Sequence, residues 1–122
     1  MVVDDNLDIA TLVKITLQRV GFKNVFAFTK PFLALEHFKI NYDDYCLVIA
    51  DIRMPELNGF EFAKAISREK PGIEIVLMTA FDVDDKTLLT MNGRYKKNIS
   101  GIIQKPMSPS KLAEMIMAQI NN

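Results

Sequence analysis

The run Tyr45-Cys46-Leu47-Val48-Ile49-Ala50, followed at once by Asp51-Ile52-Arg53-Met54-Pro55, decides the architecture. An uncharged, β-branched stretch without polar alternation describes a strand covered on both faces, and such a strand lies centrally in a parallel sheet. Its apolar character ends abruptly at Asp51, and Pro55 and Asn58-Gly59 mark the loop that follows. Working outward, the next segment predicts a helix from about Phe60 to Glu69 with Phe62, Ala63 and Ile66 on one face, broken by Pro71-Gly72. Ile73 to Thr79 reads as a further strand, Asp82 to about Met91 as a weaker helix stopped by Asn92-Gly93, and Ile102-Ile103 as a short last strand. The final helix takes Ser108 as N-cap and Pro109 at its first position, with Leu112, Met115, Ile116 and Ile120 as its buried stripe.

Toward the amino end, Val25 to Phe28 predicts a strand and Pro31 to Ile40 a helix with Thr29 as N-cap. Before these, Val2-Val3 is a strand leading into Asp4-Asp5. A helix from Leu7 to Val20 then carries Ile9, Leu12, Val13, Leu17 and Val20 at helical spacing and ends at Gly21. Five strands alternating with five helices imply right-handed crossovers around a parallel sheet with helices on both faces. Only Met1-Val2-Val3 precede Asp4, short for a central strand, so a start truncated relative to the natural protein is the expectation.

The 122 residues suffice for one domain, and 49% hydrophobic content fills its core without staples. Cys46 is the only cysteine and His37 the only histidine, which excludes an intrachain disulfide and a Cys/His zinc cluster. Cys46 is expected as a buried small hydrophobe. Fifteen Lys and Arg balance fifteen Asp and Glu, which argues against a whole-domain field for nucleic acid or a membrane surface. No apolar stretch approaches the roughly 18 residues of a spanning helix, and the start lacks the regions of a secretory signal, so a cytoplasmic setting is expected.

In an open parallel sheet, ligands bind beyond the carboxyl ends of the strands. The residues at those ends are Asp4 and Asp5, Asp51, Thr79 and Lys105. Three converging carboxylates repel one another unless a cation lies among them, and an all-oxygen set suits a hard ion such as Mg2+. Lys105 and Thr79 add an ammonium and a hydroxyl that can contact phosphoryl oxygens, so phosphoryl transfer to a carboxylate fits best. Asp43-Asp44 precedes a strand, at the opposite edge of the sheet, and reads as loop solvation. Asp82, Asp84 and Asp85 read as acidic residues at a helix start. Arg94, Lys96 and Lys97, the one local basic cluster, read as a solvated loop.

Taken in order, Val2-Val3-Asp4-Asp5-Asn6, Ile49-Ala50-Asp51-Ile52-Arg53-Met54-Pro55 with Gly59 eight residues past Asp51, Met78-Thr79-Ala80, and Lys105-Pro106 resemble the receiver domain of two-component response regulators over nearly the whole chain. The resemblance implies a flavodoxin-like three-layer sandwich whose five-stranded parallel sheet has the order 2-1-3-4-5, with five helices, residues 1–122 forming a single receiver domain without an effector domain. It implies a signalling phosphoacceptor rather than a turnover enzyme, one that catalyses its own phosphorylation and slow dephosphorylation. Asp51 would be charged from the phosphohistidine of a histidine kinase or phosphotransfer protein. By the same matching, Asp5, Asp51 and the backbone carbonyl of Arg53 would bind Mg2+ directly, Asp4 would act through a coordinated water, and Thr79 and Lys105 would hold the phosphoryl oxygens. A cis peptide at Lys105-Pro106 is also implied. Phosphorylation would draw Thr79 inward and shift the surface of the last strand and its flanking helices, to be read by an effector domain or partner protein. A homodimer is left open.

The chain departs from the family pattern in two further ways. Ile102 stands where an aromatic is usual, which puts the usual readout in doubt, and the interval from Thr79 to Lys105 is a few residues long. Arg53 and Phe81 occupy positions that in similar proteins tune water access, and so bulky a pair implies slow hydrolysis. Two other readings compete. One is a receiver-like interaction module that ignores phosphate. The other is an aspartyl-nucleophile phosphatase, which needs a second carboxylate two residues after the nucleophile; Arg53 and Asn6 fill those positions instead.

Overall fold

The computed structural model describes residues 1–80, 99–105 and 108–120. Their elements run β1 (Val2–Val3), α1 (Leu7–Arg19), β2 (Ala27–Phe28), α2 (Pro31–Asn41), a 3-10 turn (Tyr42–Asp44), β3 (Leu47–Asp51), α3 (Gly59–Glu69), β4 (Glu74–Thr79), β5 (Gly101–Gln104) and α4 (Pro109–Ile120). All strand pairs are parallel, in the order β2-β1-β3-β4-β5. The described residues hold four α-helices. The expected helix from Asp82 to Met91, the Asn92-Gly93 stop, Phe81 and the basic cluster at Arg94, Lys96 and Lys97 lie outside them, as does Pro106 of the expected cis bond.

Alternation along each strand divides the core in two. Val3, Val48, Ala50, Ile75 and Leu77 face Ala34 and Phe38 of α2 and Phe62, Ala63 and Ile66 of α3. Val2, Leu47, Ile49, Val76, Met78 and Ile103 face Ala10, Val13 and Leu17 of α1 and Leu112 and Ile116 of α4. Every residue of β3 is buried, as expected for a strand covered on both faces. Met115 packs at the margin of the second core.

Several boundaries differ from expectation for local reasons. β3 begins at Leu47, so Cys46 lies at the open rim before the strand and is exposed, not a buried hydrophobe. Lys30 rather than Thr29 is the N-cap of α2, without a side-chain bond, because Pro31 takes the first helical position and leaves Thr29 one residue too early. β2 pairs only at Ala27 and Phe28. The brevity of β1 is offset by flanking bonds: the Ile49 amide donates to the Met1 carbonyl (2.9 Å) and the Asp4 amide to Phe28 (3.0 Å).

The two sides of α2 give a direct test of this packing. Phe38 is fully buried, so Phe38→Ala should destabilise by about 3–5 kcal/mol in urea titration. Ile40→Ser, on the exposed side, should stay within about 0.5 kcal/mol.

Candidate phosphoacceptor site

Strand register brings the acidic residues together. Val2 pairs with Ile49 and Val3 with Ala50, so the next step along both strands sets Asp4 beside Asp51. Asp51 is the last residue of β3, paired with Met78, and the following Ile52 amide still donates to the Met78 carbonyl (2.9 Å). The ladder therefore holds the backbone on both sides of this carboxylate. On β5, Ile103 faces the α1 and α4 side of the sheet; Lys105, two residues on, returns to that side, and its amide donates to the Thr79 carbonyl (2.7 Å).

Carboxylate oxygens of Asp4, Asp5 and Asp51 lie within 4.8 Å of one another. Lys105 Nζ stands 3.1 Å from Asp4 Oδ2 and 3.2 Å from Asp51 Oδ2. Asp4 and Asp51 are buried, Asp5 is exposed, and the lysine keeps 20% of its side chain in solvent. One ammonium cannot neutralise three carboxylates. Burial, and then the Asp4 charge, push the Asp51 pKa up to about 6 despite Lys105. Burial likewise raises Asp4, opposed by the Asn6 amide and Lys105. For Lys105, burial pulls downward, but the Asp4 and Asp51 charges outweigh it and the net shift is upward.

Asn6 was not singled out for the site by sequence reasoning, although an asparagine just before a helical run is a recognisable N-cap. Its amide donates to Asp4 Oδ1 (2.9 Å) while its side-chain oxygen accepts from Asp8 (2.9 Å) and Ile9 (3.2 Å), tying the acidic doublet to the start of α1. Gly59 has a steric reason. A Cβ there would come within 2.5 Å of the Asp51 carbonyl oxygen and 2.9 Å of Ile52 Cα. The first turn of α3 thus rests directly on the end of β3, with the Gly59 amide donating to Ile52 (2.9 Å) and Asn58 capping the helix through Glu61 (2.9 Å).

A cavity of about 290 Å³ opens over this cluster, lined by Asp5, Asn6, Asp51, Ile52, Arg53, Ala80 and Lys105. Asp4 lies beneath it. Thr79 is buried at the end of β4, but its hydroxyl donates to the Ala80 carbonyl (3.1 Å) and is not turned into the cavity. Asp43 and Asp44 are exposed at the opposite edge, as their position before β3 implies.

A family model for the response regulator receiver domain matches residues 1–117. The chain belongs to that family. Response regulator SaeR of Staphylococcus aureus is 26% identical over 122 residues, which is all of this receiver and 48% of that protein. The receiver thus spans about half the length of the curated relatives it matches. Among solved structures, a response regulator receiver domain protein of Clostridium thermocellum superposes with a TM-score of 0.79 at 26% identity, covering 98% of this chain and 91% of that one. A protein of Neptuniibacter caesariensis gives 0.81 at 29% identity, covering 99% and 85%. No helix among the described residues is long and apolar enough to cross a membrane.

The receiver's donor set fits a divalent cation. The oxygens are clustered, the carboxylates exceed the charge of the lysine, and buried Asp4 Oδ2 has its ion pair but no aligned hydrogen bond.

A carboxyl group whose pKa is higher folded than unfolded favours folding while protonated and opposes it once ionised. The Asp51 contribution is therefore favourable below its ordinary value of 3.8 and lost as pH rises through about 6. Without divalent ions, Asp51→Asn should raise Tm at pH 7.5 by roughly 3–10 °C, and this gain should vanish below pH 4, as followed by calorimetry. Gly59→Ala should destabilise by about 1–3 kcal/mol in urea titration, because backbone rather than a mobile side chain must yield.

Proposed function

We propose that this receiver takes a phosphoryl group onto Asp51 from the phosphohistidine of a histidine kinase or phosphotransfer protein, and that the phosphorylated form signals to an effector domain or partner protein. The observation that carries this reading is Lys105 Nζ shared between Asp4 and Asp51 at the mouth of a cavity large enough for a phosphoryl group. An Asp51 oxygen attacks phosphorus, the new P–O bond forms as the P–N bond breaks, and the donor imidazole nitrogen keeps the electron pair. Lys105 exchanges its carboxylate contacts for the arriving phosphoryl oxygens and stabilises charge developing on them. Thr79 contributes its hydroxyl after releasing the Ala80 carbonyl, a side-chain rotation that couples loading to the end of β4.

Mg2+, held by Asp5, Asp51 and the Arg53 carbonyl with Asp4 acting through water, would supply charge neutralisation at the phosphoryl oxygens. Asp4 maintains that acidic floor and is itself held by Asn6. The same groups support slow self-catalysed loss of the phosphoryl group to water, with Arg53 at the rim of the cavity restricting access. Residues 1–122 act in this reading as one receiver unit.

Incubation with Mg2+ and acetyl phosphate should add one phosphoryl group by intact mass, stable in acid and lost in base. Asp51→Asn should abolish the addition. Failure to load from any donor, with no structural response to beryllofluoride, would instead establish an interaction module indifferent to phosphate.

A further inference from the structure

Among the described residues, Glu56 is the one non-glycine residue with a positive φ, at 73°. The Leu57 amide donates to the Pro55 carbonyl (2.8 Å), which closes a γ-turn centred on Glu56. With positive φ at its centre this is the rare and strained form of that turn, since a side chain there crowds the neighbouring main chain. Glu56 is exposed, so burial of its own side chain does not hold it in place.

The residues on either side impose the turn. The Gly59 amide donates to the Ile52 carbonyl (2.9 Å) and the Ile52 amide to the Met78 carbonyl (2.9 Å), so both ends of the segment 53–58 are fixed. Within it, Met54 is buried in the core shared with α2 and α3, Leu57 packs against the same core, and Asn58 caps α3 by accepting from the Glu61 amide. Pro55 and Glu56 alone stand between the two apolar anchors. The Pro55 ring locks its own φ at about −65°, so the change of direction that returns Leu57 to the core falls on Glu56.

Strain of this kind persists where the surroundings over-determine it, and here it lies close to the acidic cluster. Arg53, just before Met54, lines the cavity together with Asp51 and Ile52. Its neighbours are held on both sides, Ile52 by the ladder and Met54 by its seat in the core, which the turn preserves. We propose that the strained turn at Glu56 is a positioning element of the phosphoacceptor site, keeping the Arg53 main chain in the cavity wall so that its carbonyl serves the cation. The role rests on the function proposed above, and Glu56 fills it through the backbone shape it adopts rather than through its carboxylate. An opened turn leaves the loop in several arrangements, and affinity for a cation falls by the fraction of chains that lose the closed one.

Mn2+ binding to the full chain, followed by water-proton relaxation, tests the turn. Glu56→Gly adopts the same φ without a Cβ, so its Kd for Mn2+ should stay within about twofold of the parent and its Tm should not fall. Glu56→Val places a β-branched residue where positive φ is least tolerated, and should weaken Mn2+ binding at least about fivefold. Pro55→Ala, an exposed change that lets position 55 share the reversal, should weaken it at least about twofold with an unchanged circular dichroism spectrum. Ile66→Val, in the core under α3, should lower Tm and leave Kd where it was. Unchanged Mn2+ binding in Glu56→Val and Pro55→Ala, a loss in Glu56→Gly equal to that in Glu56→Val, or a matching loss in Ile66→Val would overturn the proposal. Loading of the parent chain from acetyl phosphate tests the underlying reading separately: normal loading with a flat Kd series rejects the turn, whereas no loading rejects the reading.

Discussion

Everything at the functional end of this molecule depends on the parallel register between β1 and β3. Because Val2 pairs with Ile49 and Val3 with Ala50, two acidic residues far apart in the chain emerge as neighbours on one side of the sheet. A slip of one residue would turn one of them to the opposite face. Register is secured by burial, since each strand residue has a defined place in one of the two cores. The apolar pattern thus produces a charge arrangement that the same residues would avoid in an unconstrained chain.

The resulting site works against the stability of its own scaffold. Asp4 and Asp51 are desolvated and mutually repelling, and the shared ammonium of Lys105 offsets only part of that. Such tension is a general mark of functional clusters. Here it bears on what the cluster suits: a divalent ion would relieve the excess negative charge that the one ammonium leaves.

Much of this was legible in the residues. The run ending at Asp51 marked the central strand, and chain direction alone separated Asp4 and Asp5 from Asp43 and Asp44. The two cores follow from strict alternation along β3 and β4. Other features depend on distances that no linear pattern contains. Nothing in the chain indicates that Asn6 holds Asp4, since an N-cap residue is recognised by its helix and not by what its own amide binds. Gly59 belonged to a recognisable motif, yet the reason for it lies in the approach of α3 to the Asp51 carbonyl. Cys46 was misjudged because an apolar run does not reveal where pairing begins, and Thr29 because Pro31 moves the cap by one residue. The outward apolar residues of α2 left no periodic signal to read, since apolar side chains stand on its buried and its exposed sides alike.

The contact at Gly59 has a mechanical meaning. It joins main chain to main chain, with no side chain between the first turn of α3 and the end of β3 to act as a cushion. Rotamer changes cannot take up a displacement of the Asp51 carbonyl, and the helix on that side is stiff along its axis. A displacement of the Asp51 carbonyl would therefore press directly on the first turn of α3, so that the end of β3 braces this helix as well as sharing a core with it.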